Sequence, residues 1–127
     1  MSAKRRPMDG ARDRIFENDI GQRVLQWLAA DGWDCYPEAQ FYGGGARADI
    51  AAVRNGLLWI IECKTTFGDS VVTQAWAWMD TAHFVSVAIP TGYRSPRSAL
   101  REFCHEHGIG ILLVHGDVHE TEKARLN

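Results

Sequence analysis

The chain has no apolar stretch approaching the roughly 18 residues that a membrane helix needs, and no charged-then-apolar leader at its start. Neither membrane insertion nor secretion is implied, and the expectation is a cytoplasmic protein. Cysteine is sparse: Cys35, Cys63 and Cys104 are odd in number and lie in apolar settings, which reads as buried reduced thiols rather than a disulfide framework. There is no internal repeat and no Gly-rich phosphate motif, and nothing points to a small organic cofactor. Cys104-His105-Glu106-His107 suggests zinc at first sight, but residues one and two apart on a helix do not face together, and no second ligand pair stands at metal-finger spacing. These histidines, with His83, His115 and His119, are read as structural. Charge of one sign is also lacking, the formal net being −2 over 127 residues. With 46% hydrophobic and 24% charged residues, disordered and fibrous classes are excluded and one core is affordable.

What is present is a hairpin. Residues 47–54 and 57–64 are apolar, strand-like runs separated by Asn55-Gly56, the dipeptide preferred where a type I′ turn needs positive φ at both central positions. Pairing Arg54 with Leu57 sets Asp49 opposite Glu62 and Arg47 opposite Lys64. Because strand side chains alternate, Lys64 points to the same face as Glu62. Two like charges about 5 Å apart repel by roughly 3 kcal/mol at an effective dielectric near 20, so a cationic partner is expected. Lys64 supplies part of that charge, and two hard oxygen ligands on rigid strands also suit Mg²⁺. The flanking runs, Ile50 to Val53 and Leu57 to Ile61, read as strands buried on both faces, an unusual setting for solvated charges.

Around the hairpin, Phe16, Ile20, Val24, Trp27 and Leu28 recur at helical spacing within residues 13–31, and Gly32 is a natural C′ residue. Residues 33–37 read as a short strand, followed by a loop carrying Gly43-Gly44-Gly45. That loop either lets nucleic-acid backbone approach closely or is a slack connector. Asp69 or Ser70 caps a second helix reaching about Ala82, with Trp76, Met79 and His83 on one side and Trp78 and Ala82 on the next, positions suited to core or dimer contacts. Residues 84–89 form a strand, Ser95-Pro96 are the N-cap and N1 of a third helix ending at Gly108, and 109–115 are the last strand. The order α, β, β, β, α, β, α, β implies parallel crossovers around an antiparallel hairpin, hence a mixed five-stranded sheet flanked by helices. Domain limits follow: a flexible basic arm over 1–12, one domain over 13–115, and a polar tail over 116–127 with room for a short terminal helix or strand.

Ala48-Asp49, thirteen residues from Asp49 to Glu62, and Glu62-Cys63-Lys64, set in this element order, resemble the PD-(D/E)xK nuclease superfamily, which includes restriction endonucleases, Holliday junction resolvases, and RecB-like and Mrr-like nucleases. The resemblance covers about residues 13 to 115, with Ala48 in place of the family's proline. It implies the three-layer α/β/α restriction-endonuclease-like fold. It also implies Mg²⁺, with Mn²⁺ as a substitute, held by Asp49, Glu62 and the backbone carbonyl of Cys63, with Lys64 as the catalytic lysine. Many members add a glutamate from the first helix, for which Glu17 is the candidate and Asp19 or Gln22 the alternatives. Gln74 to Trp78 resembles the glutamine-x-x-x-tyrosine helix motif of RecB-like members, with Trp for Tyr.

The implied activity is DNA phosphodiester hydrolysis leaving 5′-phosphate and 3′-hydroxyl ends, most simply by a homodimeric, structure-selective endonuclease like the junction resolvases. The alternative is a catalytically inactive nuclease-fold module that binds DNA or a protein. Charge is unevenly spread in a way that serves DNA. Residues 1–14 hold Lys4, Arg5, Arg6, Arg12 and Arg14 against Asp9 and Asp13, net +3, and 91–101 hold Arg94, Arg97 and Arg101 with no acid. Arg47, Gln74, Lys4, Arg5, Arg6 and Arg94 are the candidate nucleic-acid contacts, against the plainer reading of a solvated tail and an exposed loop.

Overall fold

A computed structural model describes the backbone of residues 9–41, 46–90 and 98–127, and the side chains of 18–41, 46–90 and 99–127. Along the chain the elements are α1 (Asp9–Ala30), β1 (Asp34–Gln40), β2 (Arg47–Arg54), β3 (Leu57–Cys63), α2 (Asp69–Trp76), β4 (Phe84–Pro90), α3 (Ser98–His107), β5 (Ile109–His115) and β6 (Asp117–Glu122). The strands form one sheet in sequence order. The pairs β1–β2, β2–β3 and β5–β6 are antiparallel, and β3–β4 and β4–β5 are parallel.

Alternation along the central strands builds two cores. On one face Ile20, Val24 and Leu28 of α1 pack on Ile50, Ala52, Ile61 and Leu112; on the other, Val71, Val72 and Ala75 of α2 and Cys104 of α3 pack on Ile60, Val85, Val87 and Ile111. The two crossover helices share one face, as connections of a single hand between successive parallel strands require. The expected mixed α/β sheet between helix layers is present. No described helix is long and apolar enough to cross a membrane.

The hairpin forms as its chemistry predicts, with φ of +53° at Asn55 and +78° at Gly56 and with Arg54 paired to Leu57. Both helix-ending glycines, Gly32 and Gly108, also have positive φ. The sheet, however, has six strands rather than five. The sixth lies in the segment expected as a polar tail, and it escapes a hydrophobicity pattern because its half-buried face carries Val118, Glu120 and Glu122 while its exposed face carries Asp117, His119 and Thr121. It is an edge strand, where charge is ordinary.

Other limits also shift. The first helix starts at Asp9 rather than 13, β1 extends to Gln40, and β3 stops at Cys63, one residue short of Lys64. The second helix ends at Trp76, and turns rather than helix lead on to Ala82. Its N-cap is Gly68, with Asp69 in the first turn. Gly43 to Gly45 and Ser95-Pro96 lie outside the described residues.

Beyond β6 the chain folds back over the sheet end. Arg125 N–H donates to Gly108 O at 3.0 Å, and Asn127 N–H to His83 O at 2.9 Å. The Arg125 guanidinium reaches the carbonyls of His105 and Glu106 at the end of α3. This path needs Gly110: a Cβ there would stand 2.5 Å from Ser86 Oγ and 2.8 Å from Ala124 N. Ser86 is itself fixed, accepting the Trp59 indole N–H at 2.9 Å, in a cluster where Trp59 meets Trp27, Trp33 and Phe84. Gly110→Ala is therefore expected to destabilise by about 1–3 kcal/mol, read as a lower urea midpoint at unchanged slope. An unchanged midpoint would mean that the returning segment moves aside freely.

Candidate active site

The β2–β3 ladder runs from Arg54↔Leu57 to Ile50↔Ile61, and there it stops. On the other side of β2, pairing with β1 runs to Pro37↔Ile50 and resumes at Ala39↔Ala48, passing over Glu38, whose φ is +51°. Asp49 thus sits where regular pairing lapses on both flanks. Instead of facing Glu62 as a ladder partner, it turns its carboxylate to the next backbone group, and the Cys63 N–H donates to Asp49 Oδ2 at 2.8 Å. The β3 end is held in turn by β4, the Lys64 N–H donating to Ala88 O at 3.0 Å.

Glu62 is 3% exposed. The indole N–H of Trp78, also buried, donates to Glu62 Oε2 at 2.8 Å, and Asp49 lies within hydrogen-bonding reach. Burial is the main cause that lifts the Glu62 carboxyl from 4.5 to about 7; the charge on Asp49 adds to it and the Trp78 hydrogen bond opposes it. Trp78 reaches Glu62 because α2 ends at Trp76 and the following turn swings the indole inward, against Phe41 at 5.2 Å between ring centroids. The sequence places Trp78 beside the core or a dimer contact; its one other signal is the resemblance of Gln74 to Trp78 to the RecB-like helix motif, and a helix continued to Ala82 implies a different direction for the indole.

Two hollows flank the carboxylates. One, of about 370 Å³, lies under α1 and is bordered by Asp49, Ile50, Cys63 and Glu38 with Asn18 and Gln22 of the helix. The other, of about 310 Å³, lies beside α2 and is bordered by Glu62, Arg47, Gln74, Trp78 and Thr81. The expected shared face is therefore a ridge between two depressions.

The remaining candidates fall as follows. Arg47 and Gln74 are exposed and border the Glu62 side, Arg47 lying 3.8 Å from Glu38. Lys64 is half-buried just past the strand and, among the described residues, makes no ion pair with either carboxylate. The Glu17 side chain lies outside the described residues. Of its alternatives, Gln22 borders the Asp49 hollow, whereas Asp19 pairs with Arg23 at 3.0 Å on an exposed face. Lys4, Arg5, Arg6 and Arg94 lie outside the described residues.

Three of the histidines have structural partners. His83 Nδ1 accepts the Leu58 N–H at 3.0 Å, His105 meets Glu122 at 2.9 Å, and His107 stacks with Trp76 and Phe103. No disulfide joins the cysteines. Burial pushes the Cys104 thiol up to about 11, with the Glu122 charge adding to it, and burial with the Asp34 charge raises Cys35, which suits inert thiols.

The fold recurs in solved structures. A repair endonuclease from Pyrococcus abyssi superposes with a TM-score of 0.52 at 16% identity, over 91% of this chain and 49% of the endonuclease. The fold is nuclease-like. A protein of unknown function from Silicibacter pomeroyi matches with a TM-score of 0.66 at 20% identity, over 85% of this chain and 70% of that one. An fdxN element excision controlling factor from Anabaena variabilis matches at 0.53 and 18%, over 86% and 98%. No protein-family model matches the chain, and no curated protein matches its sequence.

The raised Glu62 carboxyl makes stability fall with pH. Between about pH 4.5 and 7 the folded state keeps a proton that the unfolded chain releases, so the favourable contribution present in acid is lost as pH rises and is gone above 7. Its span is on the order of 3 kcal/mol. Glu62→Gln, which keeps an acceptor for Trp78, should raise the melting temperature of metal-free protein at pH 8 and leave it nearly unchanged at pH 4.5. Equal shifts at both pH values would show that Glu62 is not held above its ordinary range.

Proposed function

We propose that the chain is a Mg²⁺-dependent DNA endonuclease of the PD-(D/E)xK type, with a restriction-endonuclease-like fold, acting in the cytoplasm as a homodimer on branched or partly unpaired DNA. The observation that carries this reading is the meeting of the Asp49 and Glu62 carboxylates at the open end of a hairpin, one of them buried, within a nuclease-like fold.

The donor set fits a hard divalent cation. The described residues contain no cluster of three or more His, Cys, Asp or Glu side chains, which leaves two carboxylates, and Mg²⁺ characteristically takes one or two carboxylates with water and phosphate oxygens. Asp49, Glu62 and the carbonyl of Cys63 would hold it, and Mn²⁺ would serve in its place. When bound, the ion supplies positive charge to the scissile phosphate and acidifies water. Trp78 fixes one oxygen of Glu62, and the Cys63 N–H fixes one oxygen of Asp49, so both carboxylates are oriented before substrate arrives. Lys64 orients the attacking water and offsets charge that builds on the phosphate in the transition state. Arg47 and Gln74, on the Glu62 side, hold a neighbouring phosphate; Lys4, Arg5, Arg6 and Arg94 add further contacts, and Glu17 adds a carboxylate from α1. The products are 5′-phosphate and 3′-hydroxyl ends.

One observation favours a second reading, a nuclease-fold module that binds without cutting. The excision controlling factor is matched over 98% of its length, whereas the chain spans about half of the repair endonuclease. The neighbour matched over nearly its whole length is named an excision controlling factor, and that supports a role exercised without cutting.

The two readings separate on one experiment. Purified protein is incubated with single-stranded, duplex, flapped and four-way-junction DNA in Mg²⁺, Mn²⁺ or EDTA, beside Glu62→Ala and Lys64→Ala. Cleavage is expected with either metal and not with EDTA. Each substitution should lower it by at least about two orders of magnitude, the scale of losing one preorganised charge-stabilising group. Intact DNA under every condition, with binding retained, would establish the non-cutting module.

A further inference from the structure

The hollow under α1 is bordered by a glycine. Gly21 stands inside a 22-residue helix, where glycine costs roughly 0.5–1 kcal/mol relative to alanine. Neither usual reason for it applies. Its φ is not in the left-handed region, and a Cβ built there would meet no atom within 4 Å. The missing side chain adds to an open space that Asp49 also borders, and the hollow's volume of about 370 Å³ is at the small end for ligand sites.

The walls specify what fits. Leu25, Pro37 and Ile50 are apolar. Asn18 and Gln22, four residues apart and so on one face of the helix, offer amides that both donate and accept. Glu38 and Asp49 are acidic, and among the described residues bordering this hollow none is cationic. A phosphate is therefore disfavoured inside it. Across the ridge the opposite is true, because Arg47 borders the Glu62 side. A nucleotide strand crossing the carboxylates would turn its phosphates toward Arg47 and present an uncharged, flat group with a donor–acceptor edge to α1.

We infer that the α1-side hollow is a subsite for one unstacked nucleobase, next to the phosphate that lies over Asp49 and Glu62. The inference rests on the nuclease reading and gives it a source of substrate choice. A base inside a duplex must first be unpaired and unstacked, at a cost least where the strand is already single. Its freed edge is then read by amide side chains. Selectivity for flaps and junctions would thus reside in the space left by Gly21, not in contacts with the branched duplex arms.

The test uses the full chain and oligonucleotides carrying 2-aminopurine at successive positions around the cleavage point, in Ca²⁺ for binding and Mg²⁺ for cleavage. Binding should change the fluorescence of 2-aminopurine at one position, and an abasic residue at that position should weaken binding about tenfold, the scale of losing one base contact. Gly21→Leu should melt no lower than wild type, weaken binding by the same factor, and lose nothing further on the abasic strand. Asn18→Ala with Gln22→Ala, both exposed positions, should reproduce the loss without filling the hollow. Wild-type cleavage with Gly21→Leu and the double variant equally active, and indifferent to the abasic residue, would overturn the subsite and leave the nuclease standing. Absence of cleavage by wild type, with binding of the 2-aminopurine strand still weakened about tenfold by Gly21→Leu, would overturn the nuclease reading and keep the base site. Neither cleavage nor a positional fluorescence change would overturn both.

Discussion

The hydrogen bond from the Trp78 indole to the Glu62 carboxylate joins the turn after α2 to the end of β3, and much of the local structure follows from the need for it. A buried carboxylate is costly unless its oxygens are satisfied, and here a second carboxylate stands beside it. Trp78 occupies one oxygen, and the Cys63 amide draws Asp49 partly aside. What these bonds leave uncompensated, burial first and the Asp49 charge second, raises the Glu62 carboxyl above its ordinary range. Around this pair the regular pairing of β2 lapses on both sides, so the strand that is a core element at Ile50 to Ala52 becomes a site element one residue earlier, at Asp49.

The two sides of the ridge differ in origin as well as in charge. The Glu62 side is bordered by the buried Trp78 indole with Arg47 and Gln74 at its exposed edge, whereas the Asp49 side is widened by the absent side chain at Gly21. Glu38 and Arg47 lie across the rim from one another, 3.8 Å apart and well exposed. An exposed pair of that kind contributes little to stability, and it can open for an incoming phosphate at small cost.

Much of this was legible in the residues, and the limits have physical causes. Asn55-Gly56 fixes the turn because few other dipeptides accept two positive φ angles, and the register it sets holds through Ile50↔Ile61. The departure at Asp49 is not legible, since it depends on Glu38, a residue in a different strand with a left-handed backbone. Lys64 follows the same rule: alternation carries a side chain's direction only while the strand continues, and β3 ends one residue before it. The Trp78 contact depends on where α2 stops, which its apolar spacing does not announce. The sixth strand is hidden because its alternation is among charged residues. Gly21 looks like an ordinary weakness in a helix until the space beside it is seen.

The two edges of the sheet bear on how copies of this chain can meet. At one edge β1 carries Pro37, which has no amide proton to offer, beside Glu38 in a backbone conformation that interrupts any straight row of donors and acceptors. At the other, β6 displays Asp117, His119 and Thr121 outward and alternates acidic groups on its inner side. Neither border is a template on which another strand can be laid. Self-association by extending the sheet from one copy to the next is thereby disfavoured, so each pair of carboxylates stays at the end of its own six-stranded sheet.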